Sequence, residues 1–331
     1  MAVKLGKSAA KQSAPARAIK RKATVSIIGV GRLGTALALA LVSRGYAVEA
    51  VVARRKSHAL VCAELLGTQP LALTSAQLDR LPSSDILLIT TPDDAIESTA
   101  LQLAAMMKSR AAKMKGVGGK GRPKRAALHA SGALSSSSLR SLSEEGFAIG
   151  SMHPLISVSD AMHGARSFHS AFFCIEGDPQ AQRVARSLVR ALGAEDFTIS
   201  AKDKALYHAA AVMASGHVTA LFDIATEMLT RCGLTKSRAR RVLLPLLKST
   251  FENLSTAEPE HALTGTFARA DTATVRRHLD ALHQPAMQDA LAAYMMLGLR
   301  SLQLAERAGA SSYALKEIAL ILAEAARDKS E

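Results

Sequence analysis

The sequence predicts an α/β fold: an N-terminal, doubly wound parallel sheet followed by an all-helical C-terminal domain. Three observations carry this. The β-branched run Thr24–Ile28 leads straight into Gly29-Val-Gly-Arg-Leu-Gly34 and then into a helix-forming stretch closed by Gly45. Short apolar runs then alternate with helical stretches as far as residue 175, as they do where helices cross over a parallel sheet. From residue 202 onward almost everything has helical periodicity, in stretches at about 202–231, 236–254, 271–282, 285–308 and 311–327. The expected organisation is a basic tail at 1–22, a sheet domain at 23–200 with a basic flexible insertion at 108–125, and a helical domain at 201–331.

The glycines of the first turn have separate tasks. Gly29 permits a tight turn, Gly31 lets a pyrophosphate approach the backbone, and Gly34 lets the helix pack on the strand. Phosphates then sit at the helix N-terminus, where free N–H groups and the positive end of the helix dipole favour anions, and Val30, Arg32 and Leu33 join the glycines as cofactor-binding candidates. The bare alternative is a tight turn that binds nothing; the strand before it and the helix after it weigh against that.

The second strand, Ala47–Ala53, ends in Arg54-Arg55, twenty residues after Gly34. A binder of NAD places an acid near here for the ribose hydroxyls. Two guanidiniums instead suit the extra phosphate of NADP, with Lys56 and Ser57 in support. A helix at 57–66 stops at Gly67, and a strand at 85–90 is ended by Thr91-Pro92. Asp93 or Asp94 then caps a helix to about Met107. Further strands are expected at Ala126–His129, 147–152 and 171–175. A ligand of such a sheet lies at the strands' C-terminal ends, which carry residues 29–34, Arg54, Thr90 to Pro92, His129 to Gly132 and His153-Pro154.

Charge narrows the class. The chain carries 42 Lys and Arg against 28 Asp and Glu, a formal +14. The excess sits in the tail and the insertion, and the rest is close to neutral. Neither segment interleaves aromatic residues with its bases, so both read as solvated appendages and no specific nucleic-acid partner is expected. Residues 205–222 carry no Asp, Glu, Lys or Arg, yet His208, Ser215, Gly216, His217 and Thr219 interrupt them. They read as a buried central helix, and no membrane partner is expected. Cys62, Cys174 and Cys232 form no ligand-spaced pair, so no metal site is predicted. They read as small core residues of a reducing, cytoplasmic compartment.

In the helical half, Lys204, His208, Ala211 and Ser215 share one helix face by 3.6-residue periodicity. Lys204 reads either as a proton donor or carboxylate binder, or as a surface lysine. His208 reads either as an acid/base or as a core histidine. Asp271 is the expected N-cap of the helix that follows it, and Arg269 serves either a local ion pair or a substrate anion.

These segments together resemble a family of NADP oxidoreductase-like proteins that join a Rossmann domain to a helical domain of unknown function. The resemblance rests on GVGRLG, TTPDDAI, LHASGAL, GSMHPL, YHAAAVMASGH and LTGTFARADTATVRRHL, and runs from Thr24 over nearly the whole chain outside the insertion. The family is similar to the wider group of 6-phosphogluconate and β-hydroxyacid dehydrogenases, pyrroline-carboxylate reductase and prephenate dehydrogenase. The resemblance implies Lys204 and His208 as the acid/base pair, Ser131-Gly132 beside nicotinamide and substrate, and His153 as a further acid/base. Taken with the glycine turn, the strand ends and the shared helix face, the candidate cofactor contacts are residues 29–34, Arg54, Arg55, Thr90, Thr91, Pro92 and Ser131, and the candidate substrate contacts are Gly132, Ser215 and Arg269. The resemblance also implies a homodimer through the helical domain, with Arg269 reaching a neighbour's site. The chain departs from the family at Gly216, Thr266 and Ala270, where Asn, Pro and Gly are usual. The expected function is hydride transfer between NADP(H) and a carbonyl, hydroxy or imine carbon of a small, anionic metabolite. The alternative is a non-catalytic NADP(H) sensor.

Overall fold

The computed structural model describes residues 22–113 and 125–327. The tail up to residue 21 and insertion residues 114–124 lie outside them. Contacts divide the chain into a unit ending at Ala211 and a unit beginning at Val212. The sequence places this boundary at 200/201. The difference arises because the first turns of a helix beyond residue 200 pack on the sheet unit.

In the first unit the order is β1 (Thr24–Ile28), α1 (Arg32–Ser43), β2 (Ala47–Ala53), α2 (Lys56–Leu66), β3 (Leu71–Thr74) and β4 (Ile86–Ile89). There follow α3 (Asp93–Lys113), β5 (Ala126–His129), α4 (Arg140–Glu144), β6 (Ala148–Pro154), α5 (Ala161–Ser167), β7 (Phe172–Gly177), α6 (Pro179–Leu192), β8 (Glu195–Thr198) and α7 (Lys204–Ala214). The strands form one sheet in the order β3-β2-β1-β4-β5-β6-β7-β8. Alternate residues feed opposite faces, as the pleat requires. Val25, Ile27, Ile86 and Leu88 enter one apolar layer, and Ile28, Leu87 and Ile89 the other.

The doubly wound parallel sheet expected from the sequence is present, with one antiparallel step at its far edge. β7 runs antiparallel to β6, and β8 runs parallel to β7. The edge strands β3 and β8 carry little sequence signal: Leu-Ala-Leu-Thr and Glu-Asp-Phe-Thr are short, and neither is apolar throughout. The insertion is also corrected at both ends. α3 continues to Lys113. Lys108 pairs with Glu145 at 3.5 Å, and Arg110 donates to the Leu81 carbonyl at 2.7 Å. Arg125 donates to the Ser84 carbonyl and stacks 4.4 Å over the Phe147 ring. Long basic side chains lay their stems on the domain while their heads satisfy loop carbonyls, so a run of charge does not by itself mark a free loop.

The second unit holds α8 (Gly216–Arg231), α9 (Lys236–Thr256), α10 (Pro259–Ala262), α11 (Thr272–Leu282), α12 (Gln288–Arg307) and α13 (Ser312–Arg327). Leu, Ile and Ala fill its core, including Leu279, Leu291, Ile318 and Leu322. The single helix expected at 202–231 is broken at Ser215, whose φ of −127° and ψ of −70° leave the helical region. The expectation of a buried central helix is overturned as well. Leu206 is 74% and Met213 64% exposed, although Ala201–Arg231 is by composition apolar enough to cross a membrane. Cys62 and Cys174 are buried, but Cys232 is exposed rather than in the core. Asp271 does cap α11, accepting from Thr274 N–H at 3.0 Å. Ala270 before it has φ +50°, in the left-handed region that favours glycine.

Candidate active site

β1, β2, β4, β5 and β6 are mutually parallel, so their C-terminal ends lie along one edge of the sheet. The glycine turn occupies the first of these ends. Gly29 has φ +105°, and a Cβ there would stand 2.6 Å from Thr91 N. A Cβ on Gly34 would stand 2.4 Å from the Gly29 carbonyl oxygen and 2.5 Å from Thr90 Oγ1. Thr90 Oγ1 donates to that same carbonyl at 2.8 Å, locking the turn to the end of β4. In front of Gly31 a Cβ would meet nothing within 4 Å, so backbone and ligand can approach there. Gly31 caps α1 without a side-chain hydrogen bond, and the first turn holds no acid. Its N–H groups are thus open to an anion. Thr91 Oγ1, on the adjacent strand end, is buried without a partner.

Arg54 and Arg55 follow β2 as exposed side chains, and Arg55 caps α2. Among the described residues neither is ion-paired. Lys56, expected to assist them, donates instead to the Ala72 carbonyl on β3. This edge suits a phosphorylated dinucleotide: a cradle without Cβ atoms, a helix N-terminus and two free guanidiniums.

Beside it lies a cluster of aromatic and imidazole rings. His153, near the end of β6, is hydrogen-bonded through Nδ1 to the Tyr207 hydroxyl of α7 at 2.7 Å. Burial is the first cause that lowers its pKa from 6.5 to about 4, and the charge of Lys204 adds to it. The ring is therefore neutral at neutral pH. Burial first, then neighbouring Cys174, raises the Tyr207 pKa, so the phenol keeps its proton. An imidazole nitrogen is a far better acceptor than a thiol sulfur, so Tyr207 O–H donates to Nδ1 and leaves Nε2–H as the free donor. His208 packs edge-on against His153 at 5.5 Å between ring centroids. A Cβ on Gly132 would lie 2.3 Å from His208 Nδ1 and 2.9 Å from His153 Nε2, so only glycine lets both rings close on this loop. His208 Nδ1 is buried there without a hydrogen-bond partner.

Two expected catalytic residues have other tasks in this geometry. Lys204 is 1% exposed, and its Nζ donates to the Ser131 carbonyl at 3.0 Å and to Ser151 Oγ at 2.7 Å. Burial is the main cause lowering its pKa. Walled in, it positions the 131–132 loop through these bonds. The Ser131 hydroxyl is likewise committed: it donates to Asp93 at 2.8 Å and accepts from the N–H groups of Ala133 and Leu134. One donor and two lone pairs are all a hydroxyl has.

Buried His129 beneath the loop accepts from Ser131 N–H at Nδ1, and its Nε2 lies 3.0 Å from the Ser135 carbonyl. Its pKa is lowered to about 4, again chiefly by burial. Glu176 holds the next turn through Ser136 N and Oγ. The two substrate residues expected further along, Ser215 and Arg269, belong to the second unit, where Ser215 sits at the helix break and Arg269 is exposed. The helix face expected to run from Lys204 to Ser215 is therefore interrupted. Sequence reasoning missed Tyr207, although it opens the YHAAAVMASGH segment, directly before His208.

A sheet unit that opens on strand, glycine turn and helix, followed by a helical unit, defines the class of Rossmann-type folds. Within that class, residues 24–113 match the family described as NADP oxidoreductase, coenzyme F420-dependent, and residues 171–301 match a domain of unknown function, DUF2520. No curated protein matches the chain. Among solved structures, a Bacteroides fragilis protein named as an NADP oxidoreductase is 21% identical with a TM-score of 0.64, covering 86% of this chain and 99% of its own. The 1-pyrroline-5-carboxylate reductase of Streptococcus pyogenes is 15% identical at TM-score 0.52, covering 92% of this chain and 98% of its own. A reductive aminase from Aspergillus terreus, solved with NADPH and ethyl levulinate, is 17% identical at TM-score 0.51, covering 92% and 94%. These are likenesses of fold.

Proposed function

We propose that the chain transfers hydride between NADP(H) and a carbonyl, hydroxy or imine carbon of a small metabolite, with His153 handling the proton and Tyr207 holding its tautomer. The observation that carries this is a neutral, tautomer-fixed His153 on the same sheet edge as the glycine turn. A bound nicotinamide would supply or take up the hydride. The first turn of α1 would hold the pyrophosphate, and Arg54 and Arg55 the additional phosphate. In the reducing direction His153 Nε2–H donates to the substrate oxygen or nitrogen. Tyr207 O–H, donating to Nδ1, holds this tautomer and keeps its own proton, and the proton that the product takes through Nε2 is made good from solvent, so the ring returns to its neutral form. Lys204 acts behind this pair, fixing the loop that Gly132 lets the rings approach. His208 Nδ1 remains to hydrogen-bond a bound substrate. Because Lys204 is walled in, the proposal gives it no carboxylate-binding role. The named activities of the reductase and aminase with similar folds support trying cyclic imines and keto acids first.

The proposal includes a homodimer through the helical domain. α9 spans 21 residues, of which Ala239 alone is buried, and Val242, Leu246, Phe251 and Leu254 are exposed. An isolated helix with so little packing is marginal in water, so a covering surface is expected. Sedimentation of wild type and of Leu246→Glu checks it: a wild-type monomer refutes the dimer.

The catalytic test is NADPH oxidation over a panel of keto acids and cyclic imines. His153→Ala and Tyr207→Phe should lose turnover by 10²-fold or more while NADPH affinity stays within a few-fold. Tight NADPH binding by wild type with no turnover on any panel member would turn the reading to a non-catalytic sensor.

A further inference from the structure

Ser131 is fastened at every polar atom, and its hydroxyl has a different task from the rest. Its N–H donates to His129 of β5, and its carbonyl accepts from Lys204 of α7 and Ser151 of β6. Those bonds hold the main chain. The hydroxyl shapes the turn that follows, accepting from the Ala133 and Leu134 N–H groups at 3.2 and 3.0 Å. A hydroxyl can accept from two amides only while its own proton points elsewhere. Asp93 Oδ2, 2.8 Å away, takes that proton. With no acceptor there the O–H group can rotate, and the two amides lose a fixed partner.

Asp93 also comes from a particular place in the chain. It follows Thr90, whose hydroxyl donates to the Gly29 carbonyl, and Thr91, whose backbone nitrogen lies against Gly29. One short stretch, Thr90 to Asp93, therefore grips the glycine turn at one end and the 131–134 turn at the other. The second turn carries Gly132, on which His153 and His208 close. The plain reading of Asp93 is an acid favoured by the dipole at the start of α3. Asp94 in the same first turn meets that need equally, whereas the bond to Ser131 belongs to Asp93.

We propose that Asp93 is a positioning residue: acting through the Ser131 hydroxyl, it sets the Gly132 loop, and with it the His153 and His208 rings, at a fixed offset from the glycine turn. Its consequence for turnover rests on the hydride-transfer reading above, and the placement of the rings does not. A misplacement of about 1 Å can cost about 10²-fold in rate, so the loss falls on kcat rather than on cofactor affinity.

The test is a double-mutant cycle on the full chain with two readouts. One is the histidine Cε1–H resonances, which need no substrate, and the other is turnover with NADPH. Asp93→Ala should shift the His153 and His208 resonances and lower kcat by about tenfold or more, with NADPH affinity held within a few-fold. Ser131→Ala should do the same, and the double variant should lose no more than either single change, because both break one chain of bonds. Asp93→Asn, whose amide oxygen can accept from the same hydroxyl, should restore the resonances and most of kcat. Asp94→Ala removes an acid from the same helix turn and should move neither readout; circular dichroism shows whether each variant folds. Wild-type resonances in Asp93→Ala, additive losses in the double variant, or an Asp94→Ala that behaves like Asp93→Ala would overturn the proposal. If wild type turns over no substrate, the hydride-transfer reading fails separately and the resonances alone decide the role of Asp93.

Discussion

Acidification from pH 7 to 5 should loosen the sheet unit through two buried imidazoles. His129 and His153 both have their pKa pulled from 6.5 to about 4, chiefly by burial. The neutral ring is the native form, and below pH 6.5 the unfolded chain binds protons that the folded chain refuses. The stability these rings contribute is therefore complete above pH 6.5 and is lost as pH falls from there towards 4. One unit of pKa corresponds to about 1.4 kcal/mol, so at pH 5 each ring withdraws about 2 kcal/mol. Together that is about 4 kcal/mol, a large share of the 5–15 kcal/mol typical of a folded domain. Urea unfolding at pH 7, 6 and 5 reads the sum, and the histidine Cε1–H resonances read the individual rings. His153→Asn should remove about half of the pH dependence. If either ring titrates near 6.5 in the folded chain, or the unfolding midpoint is unchanged between pH 7 and 5, the assignment of two buried neutral rings is wrong. The same neutrality predicts catalytic rates that stay level down to about pH 5 and fall below it.

Four further outcomes are expected. Arg54→Ala with Arg55→Ala should reduce NADPH affinity about tenfold or more while sparing NADH, by calorimetry, because two charge-assisted contacts to one phosphate are lost. Gly132→Ala should destabilise the sheet unit by about 1–3 kcal/mol in urea, since its Cβ must displace His208 or His153. Lys204→Met should move the His153 pKa upward in the same resonance titration, because a positive charge that opposes protonation is removed. Ala270→Gly should stabilise the helical unit by up to about 1 kcal/mol, by relieving a left-handed alanine at φ +50°.

Much of the nucleotide half was legible in the sequence. Gly29, Gly31 and Gly34 are spaced by the turn itself, and the central strands β1, β2 and β4 are buried on both faces and so read as apolar runs. Arg54 and Arg55 could be placed because they end one of those runs. Strands β3 and β8 were hidden because an edge strand buries less of itself and keeps mixed polarity. The antiparallel step from β6 to β7 was hidden too, since side-chain periodicity is the same for either direction of pairing.

The chemistry was less legible. Lys204 and His208 lie one helical turn apart, and periodicity together with the family resemblance made them a pair. In the fold they part company: Lys204 turns inward to Ser131 and Ser151, while His208 packs on His153 and Gly132. His153 and Tyr207 are 54 residues apart in the chain, and Ser131 and Lys204 are 73 apart. The sequence by itself determined the local geometry: which residues turn, which alternate into a sheet, and which wind into helices. Backbone dihedrals and side-chain period are properties of neighbours in the chain. Tertiary structure alone decided which ionisable groups are stripped of water and which partners replace it, because desolvation is set by whatever distant segments happen to pack around a side chain.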